Sequence, residues 1–175
     1  MNQLKDYILV VPNIVPEALC DLVISEYENQ EGWQDAAVGA LKLNKSIRNC
    51  KIIQIFSSKI DQDIFKCASK AINSYLEAFP DCVINQDSGY ELLKYTEGGF
   101  YSQHTDASSN YNRSISCSFA LNDEFEGGEF AFFNKELKYK IPKGAAIMFP
   151  ANFVYPHEIM PISSGTRYSI ITWFK

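Results

Sequence analysis

The chain has 175 residues, of which 46% are hydrophobic and 14% aromatic, and its 16 Lys and Arg against 21 Asp and Glu give a formal net charge of −5. That length suits one domain with a substantial core, and the apolar content is that of a folded protein rather than a disordered one. An acidic balance without any cluster of Lys or Arg argues against a nucleic-acid partner, whose phosphates need grouped basic residues.

The opening stretch "MNQLKDYILVVPN" has an apolar run of only Ile8 to Val11. This is too short for a signal-peptide core or a membrane span, so a cytoplasmic location and no membrane partner are expected. "VPEALCDLVISEYENQ" puts Pro16 in a first helical turn and Leu19, Leu22, Val23 and Tyr27 on one face, which predicts a helix from about 16 to 29. Residues 30–47 carry the least pattern and read as a loop, the first candidate for a mobile segment. In "SSKIDQDIFKCASKAINSYLEAFP", Ile60, Ile64, Phe65, Ala68, Ala71, Ile72, Tyr75, Leu76 and Phe79 recur at helical spacing. Ser58 and Asp61 suggest the helix start, and Pro80 ends it.

After about residue 82, short alternating or apolar runs are separated by Gly, Pro, Asn and Asp, the texture of strands joined by turns. "YELLKYT", "RSISCSFAL", "GEFAFF", "LKYKI", "AAIMF" and "RYSIITWF" all read as strands. In 113–121, Ile115, Cys117, Phe119 and Leu121 alternate with Ser114, Ser116, Ser118 and Ala120, so the small face is free to line a cavity. Helices followed by six or more strands predict an α+β chain of one domain, residues 1–175. Its helical support spans about 1–80, and an antiparallel sandwich or jelly roll spans about 82–175.

The five cysteines are scattered, with no C-x-x-C pair, and fit a reducing compartment better than a disulfide framework or a zinc knuckle. The chain has only two histidines. His104 lies two residues before Asp106, so on one extended strand both side chains point the same way and one cation can touch both. His157 follows after a block of strands. Two imidazoles and one carboxylate on one face of a metal, with open positions opposite, is the arrangement of non-haem Fe(II) oxygenases. Arg167, in "GTRYS", offers the two-pronged grip that suits a carboxylate, and a dicarboxylate such as 2-oxoglutarate would satisfy both metal and guanidinium.

"KYTEGGFYSQHTD", "RSISCSFALNDEFEGGEFAFF" and "PKGAAIMFPANFVYPHEIMPISSGTRYSIITWF" resemble, in order, the motifs of the Fe(II)/2-oxoglutarate-dependent dioxygenases, within their prolyl 4-hydroxylase-like branch. The resemblance implies a double-stranded β-helix (jelly-roll, cupin-like) core with the N-terminal helices packed on it. It implies His104, Asp106 and His157 as iron ligands and catalytic residues, and Arg167 on the distal carboxylate of 2-oxoglutarate with Ser169 assisting. Tyr95 stands where the family often has a tyrosine reaching the cosubstrate. Arg48, in "KSIRNC", resembles an arginine near the substrate, and Tyr101 faces the substrate mouth.

The implied reaction uses Fe(II), 2-oxoglutarate and O2, with ascorbate as reductant. It releases succinate and CO2 and hydroxylates an unactivated C–H. Asp106 sets the chain apart from the halogenases of this fold, which carry a small residue there. Collagen-type members have a lysine at the place of Arg167, so the chain looks more like the small bacterial and phage members or the hypoxia-sensing type. A tyrosine of the central strand is here Ala120, so the pocket either lacks one hydroxyl or recruits Ser118 or Ser116.

Blander readings compete at several positions: a surface ion pair for Arg167, an outward strand residue for Ser169, a core tyrosine for Tyr95, a solvent-facing charge for Arg48, and packing beside the metal strand for Tyr101. "EGGEFAFF" reads as a hairpin turn rather than a nucleotide-cyclase signature. Gly98 and Gly99 read as a turn aiming the metal strand rather than a phosphate loop. The expected function is hydroxylation of a peptide or protein side chain, proline first. The alternatives are hydroxylation of a free amino acid or small metabolite, or a non-catalytic cupin-like metal-binding module.

Overall fold

The computed structural model describes residues 3–38, 42–56 and 58–175. A 3-10 turn at Leu4–Tyr7 leads into β1 (Leu9–Val11), α1 (Glu17–Tyr27), β2 (Gln34–Asp35), β3 (Arg48–Asn49), β4 (Lys51–Gln54) and α2 (Ser58–Ala78). Strands fill the rest: β5 (Glu91–Tyr95), β6 (Phe100–His104), β7 (Ile115–Ala120), β8 (Phe125–Gly127) and β9 (Phe130–Phe132). They continue with β10 (Leu137–Tyr139), β11 (Ala146–Pro150), β12 (His157–Ile159), β13 (Ile162–Gly165) and β14 (Arg167–Phe174). All pairings are antiparallel. A seven-stranded sheet runs β1-β11-β7-β14-β5-β4-β2, a five-stranded sheet runs β10-β9-β12-β6-β3, and β8 pairs with β13.

Alternation along the strands divides the core in two. On β11, Ala146 and Met148 join the cluster under the helices, while Ile147 and Phe149 join the cluster against the five-stranded sheet. On β7, Ile115, Cys117 and Phe119 go to the helices, and the serines between them go to a cavity between the sheets. The small face read from the sequence therefore does line a cavity. Phe119 has no exposed surface. Phe119→Ala is expected to cost about 3–5 kcal/mol, read as a lowered urea midpoint with an unchanged slope, and a loss under about 1 kcal/mol would contradict its place in the core.

The helices sit where the periodicity puts them, with two residues displaced. α1 buries Cys20, Val23 and Tyr27, whereas Leu22 is 41% exposed. α2 buries Ile60, Ile64, Cys67, Ala68, Ala71, Ile72 and Tyr75, whereas Phe65 is 57% exposed. Each outlier lies one position from a buried residue, about 100° around the helix, and so falls outside the buried stripe. α2 begins at Ser58, so the capping position falls on residue 57, outside the described residues.

Three further expectations are corrected. Ile8 to Val11 contains β1, an edge strand against β11, and "KIIQ" is β4, so the N-terminal part supplies strands as well as helices. "EGGEFAFF" is no hairpin: β8 pairs with β13 and β9 with β10 and β12, so the two glycines carry the chain from one sheet to another. Both have positive φ, and a Cβ on Gly127 would lie 2.1 Å from the Pro161 carbonyl oxygen, which only glycine tolerates. Within residues 30–47, Gln34–Asp35 is strand and Val38 bridges to Lys42, while 39–41 lie outside the described residues. Among the described residues, no helix is long and apolar enough to cross a membrane.

Candidate active site

His104 ends β6 and His157 opens β12, and the two are direct cross-strand partners. Asp106 is not on the strand: β6 stops at His104, and the chain bends before reaching it. The carboxylate is instead fixed by tertiary contacts, with the Ser116 hydroxyl donating to its Oδ2 at 2.6 Å and the Ala107 amide donating to the Ala151 carbonyl at 2.8 Å. Asp106 Oδ1 lies 3.5 Å from His104 Nε2, and Oδ2 lies 3.7 Å from His157 Nε2. One nitrogen or oxygen from each of the three residues falls within 4.8 Å of the others.

Both imidazoles are oriented alike. Nδ1 of His104 is 2.9 Å from the Ser102 carbonyl and Nδ1 of His157 is 3.1 Å from the Tyr155 carbonyl. A carbonyl accepts only, so each Nδ1 carries the proton and each Nε2 presents a lone pair toward Asp106. Two neutral nitrogens and one carboxylate oxygen carry one negative charge between them, a donor set suited to a divalent ion with open positions. Burial alone would raise the Asp106 pKa, yet positive charge at His157 and His104, which a bound cation supplies when the imidazoles are neutral, and the Ser116 hydroxyl hold it well below the usual carboxylate range. Burial, with His104 beside it, holds His157 down at about 4.

That last shift has a thermodynamic sign. Unfolded His157 takes up a proton near pH 6.5 while the folded imidazole refuses it down to about 4. Below pH 6.5 the unfolded chain therefore binds more protons, and stability falls with pH. The metal-free protein is expected to lose up to about 3 kcal/mol between pH 6.5 and 4. Urea midpoints at pH 7.5 and 5.0 check it, and His157→Gln should flatten much of the dependence. Equal midpoints for the wild-type chain would contradict it.

The triad opens into a cavity of about 1150 Å³ that also receives Tyr95, Tyr101, Arg167 and Ser169. Arg167 is 5% exposed, and its guanidinium donates to the Ser169 hydroxyl at 3.0 Å and lies 5.3 Å from the ring centres of Tyr95 and Phe130. Among the described residues no carboxylate lies within ion-pair distance of it, so the surface ion pair is excluded. Burial pushes its pKa down, and a buried cation without an anion is an unmet demand. Ser169 is fully buried against it rather than facing outward. Tyr95 is both a buried tyrosine and part of the cavity wall, across the β5–β14 ladder from Arg167.

Tyr101 stacks on His104 with ring centres 3.5 Å apart and 16° between planes. Arg48 is half-buried rather than solvent-facing: it lies 4.6 Å from the Tyr101 ring centre and donates to the Ala37 carbonyl at 3.0 Å. Ser116, rather than Ser118, contacts the metal-site carboxylate, and Ala120 lies in the apolar cluster. Gly98 has positive φ and Gly99 closes a turn onto the Thr96 carbonyl at 2.7 Å, which aims β6 as expected.

Arg113 and Trp173 line the cavity and were not read from the sequence. Arg113 donates to the Asp106 carbonyl at 3.1 Å and sits 3.4 Å from the Trp173 ring centre. The signal was a cation seven residues after an H-x-D and an aromatic on the last strand, and only the fold brings them together. Ser108 to Tyr111 also line the cavity, so the stretch after the H-x-D contributes to its wall.

Residues 90–175 match the family model of the 2OG-Fe(II) oxygenase superfamily. A PKHD-type hydroxylase of Synechococcus sp. is 29% identical over 91 residues, covering 46% of this chain and 40% of that protein. A PKHD-type hydroxylase of Picosynechococcus sp. is 35% identical over 88 residues, covering 47% and 39%. The chain thus spans about two-fifths of the length of the curated relatives it matches.

Among solved structures, a Trichoplax adhaerens prolyl hydroxylase in complex with a hypoxia inducible factor oxygen degradation domain peptide fragment superposes with a TM-score of 0.80. It is 17% identical, with 97% of this chain and 84% of that one covered. A Pseudomonas putida prolyl-4-hydroxylase gives 0.76 at 18% identity, covering 97% and 92%. The 2OG complex of a viral collagen prolyl hydroxylase from Paramecium Bursaria Chlorella virus-1 gives 0.75 at 19%, covering 96% and 95%. At these identities the structural likeness speaks to the jelly-roll fold.

Proposed function

We propose that this protein, whose residues 90–175 match the family model of the 2OG-Fe(II) oxygenase superfamily, is a prolyl hydroxylase-like member of it: an Fe(II)- and 2-oxoglutarate-dependent hydroxylase of a peptide or protein side chain, with proline the first candidate and succinate and CO2 as co-products. The observation that carries the reading is the buried, anion-free Arg167 opening into the same cavity as His104, Asp106 and His157. Metal and dicarboxylate are then two demands of one site. When bound, iron supplies the oxidative chemistry that couples decarboxylation of 2-oxoglutarate by O2, with ascorbate as reductant, to hydroxylation.

The chain's own residues supply position and exclusion. His104 and His157 present Nε2 because their Nδ1–H groups are committed to backbone carbonyls, and Ser116 holds the Asp106 carboxylate toward them. Arg167 and Ser169 take the distal carboxylate of 2-oxoglutarate, with the Tyr95 hydroxyl beside it. Phe130, Phe149 and Ile159 line the same cavity and keep water from the deep end. Arg113 and Trp173 border the remaining space, a cation and an aromatic ring that suit an imino-acid ring and its peptide carbonyls.

The size of the cavity supports a peptide over a free amino acid. Pockets for small ligands run to about 300–1,000 Å³, and this one exceeds that range and extends outward to Phe56, which is 83% exposed. The test is incubation with Fe(II), 2-oxoglutarate, ascorbate and a peptide library, reading succinate and a mass gain of one oxygen atom. Iron-dependent succinate with oxygen gain on proline-containing peptides is the expected result. Turnover on free amino acids alone would replace the substrate, and metal binding without any succinate would reduce the protein to a binding module.

A further inference from the structure

β6 carries an irregularity that the metal site depends on. His104 pairs with His157 and Tyr101 with Ile159, so three residue steps on β6 are matched by two on β12. An extra residue in one strand is a β-bulge, and it turns side chains that would alternate onto one face. Tyr101 and His104, three apart, would point to opposite sides of a regular strand. The bulge brings their rings face to face at 3.5 Å, and the Ser102 carbonyl accepts from His104 Nδ1.

The outer partner of this stack is Arg48, which is the direct cross-strand partner of Tyr101 on β3. His104 at 3.5 Å leaves no room for a second planar group on the same face of the phenol ring, so the guanidinium at 4.6 Å lies against the other. Its Nη1 is anchored on the Ala37 carbonyl, while its buried Nε has no hydrogen-bond partner among the described residues. Anchored on the Ala37 carbonyl and set over the phenol ring, the guanidinium is held between β3 and β6. The neighbouring backbone also ties the strands together, the Ser102 amide donating to the Ile47 carbonyl at 2.8 Å.

We infer that Arg48 is a positioning residue: through Tyr101 it sets the plane of the His104 imidazole, and so the direction of its metal-binding nitrogen. The inference rests on His104 being a metal ligand. Partners that orient metal-bound imidazoles are worth about 10–100-fold in metal affinity, and a cation against the outer face of the ring pins Tyr101 against His104.

The test is Mn(II) binding by calorimetry under anaerobic conditions, on the full chain and independent of turnover. Arg48→Leu and Tyr101→Leu should each weaken binding by about tenfold, while Tyr101→Phe, which keeps the ring, should stay within about twofold. Because Arg48 acts through the ring, adding Arg48→Leu to Tyr101→Leu should weaken binding no further. Wild-type affinity in Arg48→Leu, or additive losses in the double variant, would overturn the inference. Should Arg48→Leu not fold, Arg48→Lys keeps the charge and stem without the planar face. It should also lose affinity, and wild-type affinity there overturns the inference equally. A wild-type chain that binds no Mn(II) would remove the metal-site reading itself, a result distinct from a bound metal indifferent to Arg48.

Discussion

Arg167→Leu is expected to make the metal-free protein more stable while depriving it of its cosubstrate. The guanidinium is 5% exposed and, among the described residues, has one side-chain hydrogen-bond partner, Ser169, and no anion. Leucine removes that desolvation cost and joins Tyr95 and Phe130, which already flank the position. A gain of about 1–2 kcal/mol should appear as a raised urea midpoint without ligand. In the same variant, 2-oxoglutarate affinity should fall at least about a hundredfold, since the carboxylate loses charged hydrogen bonds worth about 3 kcal/mol. Stability and binding moving in opposite directions would mark Arg167 as a residue kept for a ligand. A destabilised variant with wild-type 2-oxoglutarate affinity would show that it is kept for packing.

Asp106→Ala is expected to abolish metal binding, with a loss larger than the roughly 10–100-fold assigned to a group that orients a ligand. Ser116→Ala supplies that comparison. Its hydroxyl holds Asp106 Oδ2 at 2.6 Å, so removing it should weaken metal binding within the orienting range and leave the metal bound at saturation. The readout is thermal stabilisation by Mn(II): at a hundred times the dissociation constant, binding adds about 2.7 kcal/mol to stability. Wild type and Ser116→Ala should both show the shift, the variant at higher metal concentration, and Asp106→Ala should show none. A normal shift in Asp106→Ala would remove the carboxylate from the site.

Much of the site was legible because its residues are rare or chemically demanding. Two histidines in the whole chain leave few ways to build a metal site, and an arginine on a strand read as buried asks for an anion. What escaped depended on tertiary geometry. Arg113 and Trp173 are unremarkable in sequence and meet only because β14 pairs beside β7. The H-x-D spacing suggested one strand for both ligands, whereas Asp106 lies beyond the strand end and is placed by Ser116. The bulge that puts Tyr101 over His104 leaves no mark in "FYSQH", because it is set by pairing with β12.

The same division holds for the fold. Strands with strict alternation, such as "RSISCSFAL", were readable face by face. β1 and β4 are three and four residues long and gain their identity from the strands beside them. Leu22 and Phe65 were assigned inward because apolar residues usually are, yet the buried stripes of α1 and α2 are narrower than their apolar content. Exposed leucines and phenylalanines need no further account.

The central claim is that His104, Asp106, His157 and Arg167 form one site with two demands. Anaerobic calorimetry of 2-oxoglutarate binding, with and without Mn(II), tests it directly. The account predicts one 2-oxoglutarate per chain, bound tightly only when metal is present, with binding lost in both His157→Ala and Arg167→Leu. Equal 2-oxoglutarate affinity with and without metal, or full affinity in either variant, would contradict it.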